Sequence, residues 1–172
     1  MEASPSEGLR IVQAESNRIV DMAETLGTLA DKLTTVQLKL WHTDDPERTR
    51  SLEIQQKQLQ NEINEFVAAA LAGQIPIEKL TFSANKVYKK EGNVIREFQG
   101  TIGEMFAELA AVDCRLWHVQ EKVYEFEQVP MDQKDELVKQ LAIVNLERNQ
   151  CIDRLDEEFR KTIETFTSIN NQ

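Results

Sequence analysis

The two histidines of this chain occupy matching positions. Each follows a tryptophan and stands three residues before an acid, in Trp41-His42-x-x-Asp45 and Trp117-His118-x-x-Glu121. Residues three apart share a helix face, so each motif can present an imidazole and a carboxylate together. That pairing suits a divalent metal or a proton-transfer site, with His42, Asp45, His118 and Glu121 as the candidate ligands. No other cofactor is expected. Asp45 has a competing role, because Asp45-Pro46-Glu47 is a helix start with the aspartate as N-cap. The imidazoles could equally bond a backbone carbonyl or carboxylate at a hairpin end, with the tryptophans packed beneath.

A second polar set is Asn145-x-x-Arg148-Asn149-x-x-x-Asp153-x-x-Asp156, within an otherwise apolar helical stripe. Counting back through the turn at Val129-Pro130 places Arg148 opposite residues 110–113. Arg148 with Asp113, Asp153 or Asp156 would be an ion pair that fixes helix register. The same guanidinium could instead grip a phosphate or carboxylate. The candidate ligand-binding residues are therefore Trp41, His42, Asp113, Trp117, His118, Arg148, Asn149 and Asp153.

Long helices must position these groups. The chain has only 6 Gly and 4 Pro in 172 residues and no alternating strand pattern, which predicts an all-α fold. The first helix is expected from about Leu9 to Thr43, on the seam Val12, Ile19, Met22, Leu26, Leu29, Leu33, Val36, Leu40. The second is expected over about Pro46 to Ala72, with Leu52, Leu59, Ile63, Phe66 and Ala70 on one face. A connector follows at 73–92. The third helix is expected from about Asn93 to Gln128 and the fourth from about Gln133 to Ser168, with Asp132 as its cap. Four helices in two hairpins, about 9–72 and 93–168, make one bundle domain spanning 1–172.

The two hairpins share an internal likeness. Residues 19–42 align with 95–118 without a gap, and Ile19/Ile95, Thr25/Thr101, Gly27/Gly103, Leu33/Leu109, Val36/Val112 and Leu-Trp-His are identical. This is expected to be a duplicated helical unit. In each copy the Trp and His lie off the main seam, so something should cover them. Small residues on that second face (Gly27, Thr34 and Thr35; Gly103, Ala107, Ala110, Ala111 and Cys114) predict a second buried face on the first and third helices, against each other or a second subunit.

The charge narrows the partners. With 20 basic and 30 acidic residues the net charge is −10, which repels the phosphates of a nucleic acid. No apolar run is long enough to span a membrane, and the polar, acidic start is no signal peptide, so a cytoplasmic protein is expected. Cys114 and Cys151 fall inside helices without a Cys-x-x-Cys spacing and are expected to be buried thiols.

Leu116-Trp117-His118, followed by Asn145-Leu146-Glu147-Arg148-Asn149-Gln150-Cys151-Ile152-Asp153, resembles a bacterial family of all-helical domains. Its members carry a Trp-His-x-Glu-Asp pattern and an Asn-x-x-Arg…Ile-Asp helix. Trp41-His42-Thr43-Asp44-Asp45 echoes the first pattern, and Gln120-Glu121 departs from its acidic pair. The resemblance implies a helical fold and a bacterial origin, and brings no assigned activity. The expectation is thus a structural or protein-interaction bundle, a homodimer or the partner of another helical protein, with an enzymatic role left open. The alternative is a ligand- or metal-binding bundle, conceivably catalytic, with its site at the Trp-His motifs.

Overall fold

A computed structural model describes residues 22–82 and 96–170. Among these the chain is all-α, with no strand and four long helices: α1 Leu26–Trp41, α2 Pro46–Leu71, α3 Ile102–Tyr124 and α4 Lys134–Asn170. α1 with α2, and α3 with α4, form hairpins. α1 also packs on α3 and α4, whereas α2 meets α4 only slightly.

The helix starts follow cap chemistry rather than the apolar seam. Thr25 has an extended backbone, and its hydroxyl accepts from Thr28 N–H while the Thr28 hydroxyl accepts from Thr25 N–H at 2.8 Å. Thr101 and Glu104 make the same reciprocal box, with Thr101 N–H donating to Glu104 at 2.7 Å. Both boxes satisfy amides that have no partner inside the helix. The first helix thus begins at Leu26, and residues 22–25 are not helical; the expected helical part over 9–21 lies outside the described residues. The third helix begins at Ile102, with 96–101 non-helical, and ends at Tyr124 before a short 3-10 turn at Phe126–Gln128. Asp132 does not cap α4, because it sits within the 3-10 turn Met131–Gln133. Asp45 does cap α2, accepting from the N–H groups of Glu47 and Arg48. Gly73, with φ of 68°, ends that hairpin in the left-handed region. In the connector that follows, Ile75 and Leu80 are buried, and residues 83–92 lie outside the described residues.

Two apolar clusters make the core. One joins Leu26, Leu29 and Val36 of α1 to Leu52, Leu59 and Phe66 of α2 and to Phe159 and Ile163 of α4. The other joins Met105, Leu109, Val112 and Leu116 of α3 to Val144, Cys151, Ile152 and Leu155 of α4. At about 1.5 Å per residue α4 is roughly 55 Å long, so its first half serves the second hairpin and its last half the first. This shared helix holds the bundle together. Phe66 and Phe159 mark the junction, with ring centroids 6.0 Å apart.

α1 carries two buried faces, as expected, but α3 does not. Gly103, Ala107, Ala111 and Cys114 are exposed, so this small-residue face is open and the Cys114 thiol is not buried. Cys151 is buried, and desolvation pushes its thiol up to about 12.

Gly27 and Gly103 hold the same aligned position, second in their helices, in opposite surroundings. A Cβ on Gly27 would lie 2.6 Å from the Ile152 carbonyl oxygen and 2.9 Å from Asp156 Oδ1, whereas a Cβ on Gly103 would meet nothing within 4 Å. The Gly27 amide also donates to the buried Asp156 carboxylate at 2.7 Å. Gly27→Ala is therefore expected to destabilise by about 1–3 kcal/mol, since a backbone oxygen cannot retreat cheaply. Gly103→Ala should stabilise by up to about 1 kcal/mol through helix propensity alone. Urea midpoints of the two variants check this, and equal shifts would refute it.

Candidate functional site

Where α1, α3 and α4 meet, the interface carries buried charge. Asp31 on α1 is 5% exposed and Asp113 on α3 is 4% exposed, and between them stands Arg148 of α4. Nε and Nη2 of Arg148 donate to the two oxygens of Asp31 in a fork, and Nε also lies 3.4 Å from Asp113 Oδ1. A fork of this kind is the geometry that guanidinium and carboxylate share. Asp113 Oδ2 is buried and has no hydrogen-bond partner among the described residues. Burial above all, and then the charge of Asp31, pushes the Asp113 carboxyl up to about 7, against the opposing pull of Arg148. Burial disfavours the Arg148 cation, but its hydrogen bonds to Asp31 together with the charges of Asp31 and Asp113 outweigh this and raise its pKa above the usual guanidinium value.

Above this triad lies a cleft of about 430 Å³ between α1 and α3. Thr35, Leu38 and Lys39 form one wall, and Leu116, Trp117, Gln120, Glu121 and Tyr124 the other, with Asp113 and Arg148 also lining it. Its volume is within the range of small-ligand sites. The Trp-His motifs meet at its rim. The His42 ring stacks on Trp117, with centroids 4.8 Å apart and planes inclined by 19°. Trp117 Nε1–H donates to Glu121 at 2.8 Å, and His118 Nδ1 lies 3.2 Å from the other oxygen of the same carboxylate. The hydrogen bonds from Trp117 and then His118 hold the Glu121 carboxyl below its ordinary range. Trp41 has no such cover and is 87% exposed, and Tyr124 is 84% exposed.

The expected site residues divide accordingly. Trp117, Asp113 and Arg148 come together in the cleft, and His42 stacks at its edge. His118 does not line the cleft and pairs with Glu121 of its wall. Asn149 and Asp153 are half-buried on α4 and do not line the cleft. Asn145 bonds the Leu141 carbonyl within its own helix. The four candidate metal ligands do not converge, because Asp45 caps α2 and His42 lies on Trp117. Among the described residues no group of three or more His, Cys, Asp or Glu side chains could hold a metal ion.

Asp31 was not among the expected residues, although its spacing marks it. It stands four after Gly27 and four before Thr35, in the middle of the second face of α1. An acid on a face otherwise made of small residues signals a buried cation across from it.

The fold and cleft define an all-α bundle with a charged floor beneath an aromatic rim. Compared with known proteins, the chain matches no protein-family model, no curated protein and no solved structure. No helix among the described residues is long and apolar enough to cross a membrane.

Proposed function

We propose that this is a cytoplasmic bacterial interaction module that docks a segment of another protein on the aromatic end of α1 and α3. The observations that carry it are Trp41, 87% exposed at the end of α1 three residues beyond the cleft-lining Leu38, and Tyr124, 84% exposed at the end of α3 where it lines the cleft. Large aromatics left uncovered beside a cleft are the usual anchors of protein recognition, because each buries much area at little entropic cost. The likeness to the bacterial helical domains belongs to the same reading, since their motif residues fall here on Trp117 and Arg148 in the cleft wall and floor.

Selection from a displayed random-peptide library tests it. Peptides enriched on the wild type should lose at least about tenfold in affinity on Trp41→Ala/Tyr124→Ala, whose thermal melt should match the wild type because both side chains are exposed. Failure to enrich any peptide, or equal affinity for the double variant, would refute docking at this end.

A further inference from the structure

The cleft floor carries an imbalance of charge that no described residue corrects. Two buried carboxylates, Asp31 and Asp113, share one guanidinium. Arg148 spends its fork on Asp31, so Asp113 keeps one oxygen without a donor. A buried acceptor left without a donor is costly. A cation entering the cleft beside Asp113 would offset that charge. The walls add to this. Trp117 and Tyr124 offer aromatic faces, and Glu121 adds a third carboxylate against the single ammonium of Lys39. Aromatic faces with carboxylates are how proteins hold organic cations. The field of the whole chain, at −10, favours the same sign of ligand.

We infer that the cleft accepts a guanidinium or ammonium group, the side chain of an arginine or lysine on the docked partner, with the cleft-lining Asp113 carboxylate as its counter-charge and Trp117 and Tyr124 as its walls. This rests on the docking reading above and adds the chemistry that the partner must present. An anion fits less well, since Asp31 already occupies the Arg148 fork and the unsatisfied atom is an acceptor.

The test is a titration of the full chain with N-acetyl-arginine amide, following the Trp117 indole N–H by NMR, assigned with Trp41→Phe. Saturable shifts of that resonance are expected, and none with N-acetyl-citrulline amide, which has the same shape without the charge. Asp113→Asn should abolish the shifts. Binding to the wild type should weaken about tenfold from pH 8 to pH 6, as Asp113 takes up the proton that turns its free oxygen into a donor. The other charged groups around Asp113 are Asp31 on α1 and Arg148 on α4, with Lys39 and Glu121 on the cleft walls. Equal shifts with citrulline, unchanged affinity in Asp113→Asn, or saturation by inorganic phosphate at the same resonance would overturn the inference. If selected peptides dock on the aromatic end but none carries a basic residue and arginine amide does not bind, the cation site fails and the docking surface stands. If neither peptides nor arginine amide bind, both fail.

Discussion

Replacing Arg148 with methionine is expected to cost about 3 kcal/mol or more at pH 8, near the lower end of the range for breaking a buried ion pair because the guanidinium side chain is 30% exposed. The loss does not measure the attraction of one pair. Removing the cation strips Asp31 of its two donors and leaves Asp113 facing another carboxylate at the buried floor of the cleft. Methionine fills much of the volume, so little of the cost comes from a cavity. Two further results follow from the same physics. The penalty should shrink at pH 6, where Asp113 can hold a proton, and it should be largely recovered in Arg148→Met/Asp31→Asn, which removes one of the opposed charges. Urea unfolding of the single and double variants at both pH values measures all three. A cost below about 0.5 kcal/mol would mean that the triad is solvated and that no charge imbalance exists at the cleft floor.

Most of the architecture was legible because the core obeys a helical period. Leu52, Leu59, Phe66 and Ala70 are buried on one face of α2, and Leu137, Val144, Ile152, Leu155, Phe159 and Ile163 on one face of α4, with Arg148 at the break in that stripe. The starts of the first and third helices differ from expectation for the reason that made the stripes legible. Met22 continues the seam into Leu26 and packs on the core from outside the helix, so apolar spacing does not register where the backbone turns. The hydrogen-bonding side chains did register it, in Thr25-x-x-Thr28 and Thr101-x-x-Glu104. The small-residue face of α3 misled in another way. Gly103, Ala107 and Ala111 permit close packing but do not require it, since an exposed alanine costs a helix nothing. The candidate site was half legible. Arg148 with Asp113 followed from counting along the second hairpin, but the pairing of Arg148 with Asp31 crosses between hairpins, which no count within one hairpin reaches. The stacking of His42 on Trp117 crosses in the same way. It joins the two Trp-His motifs into one unequal pair, with one tryptophan covered and the other bare.

The second large effect is a dependence of stability on pH that belongs to Asp113. In the unfolded chain this carboxyl should titrate near the ordinary aspartate value of about 3.9, and in the fold it is pushed up to about 7. Between roughly pH 4 and pH 7 the folded protein holds a proton that the unfolded chain has released. Stability from this group is therefore full below about pH 4 and is lost as pH rises through 7, by at most about 1.4 kcal/mol per pH unit. Glu24, Glu104 and Glu121 act in the opposite sense, because hydrogen bonds lower them and their contribution disappears as pH falls. The total curve mixes both, so the informative quantity is the difference from Asp113→Asn, which keeps the shape and cannot ionise. The two proteins should be about equally stable at pH 5, and the asparagine variant should lead by more than about 1 kcal/mol at pH 8. Parallel urea midpoints from pH 5 to pH 8 would show that Asp113 is ionised throughout and satisfied in the fold. In that case the carboxylate needs no incoming donor and the case for a cation in the cleft goes with it. Curves that part as pH rises would locate the strain at the Asp113 carboxylate, the group at the cleft floor whose charge a partner's cation would relieve.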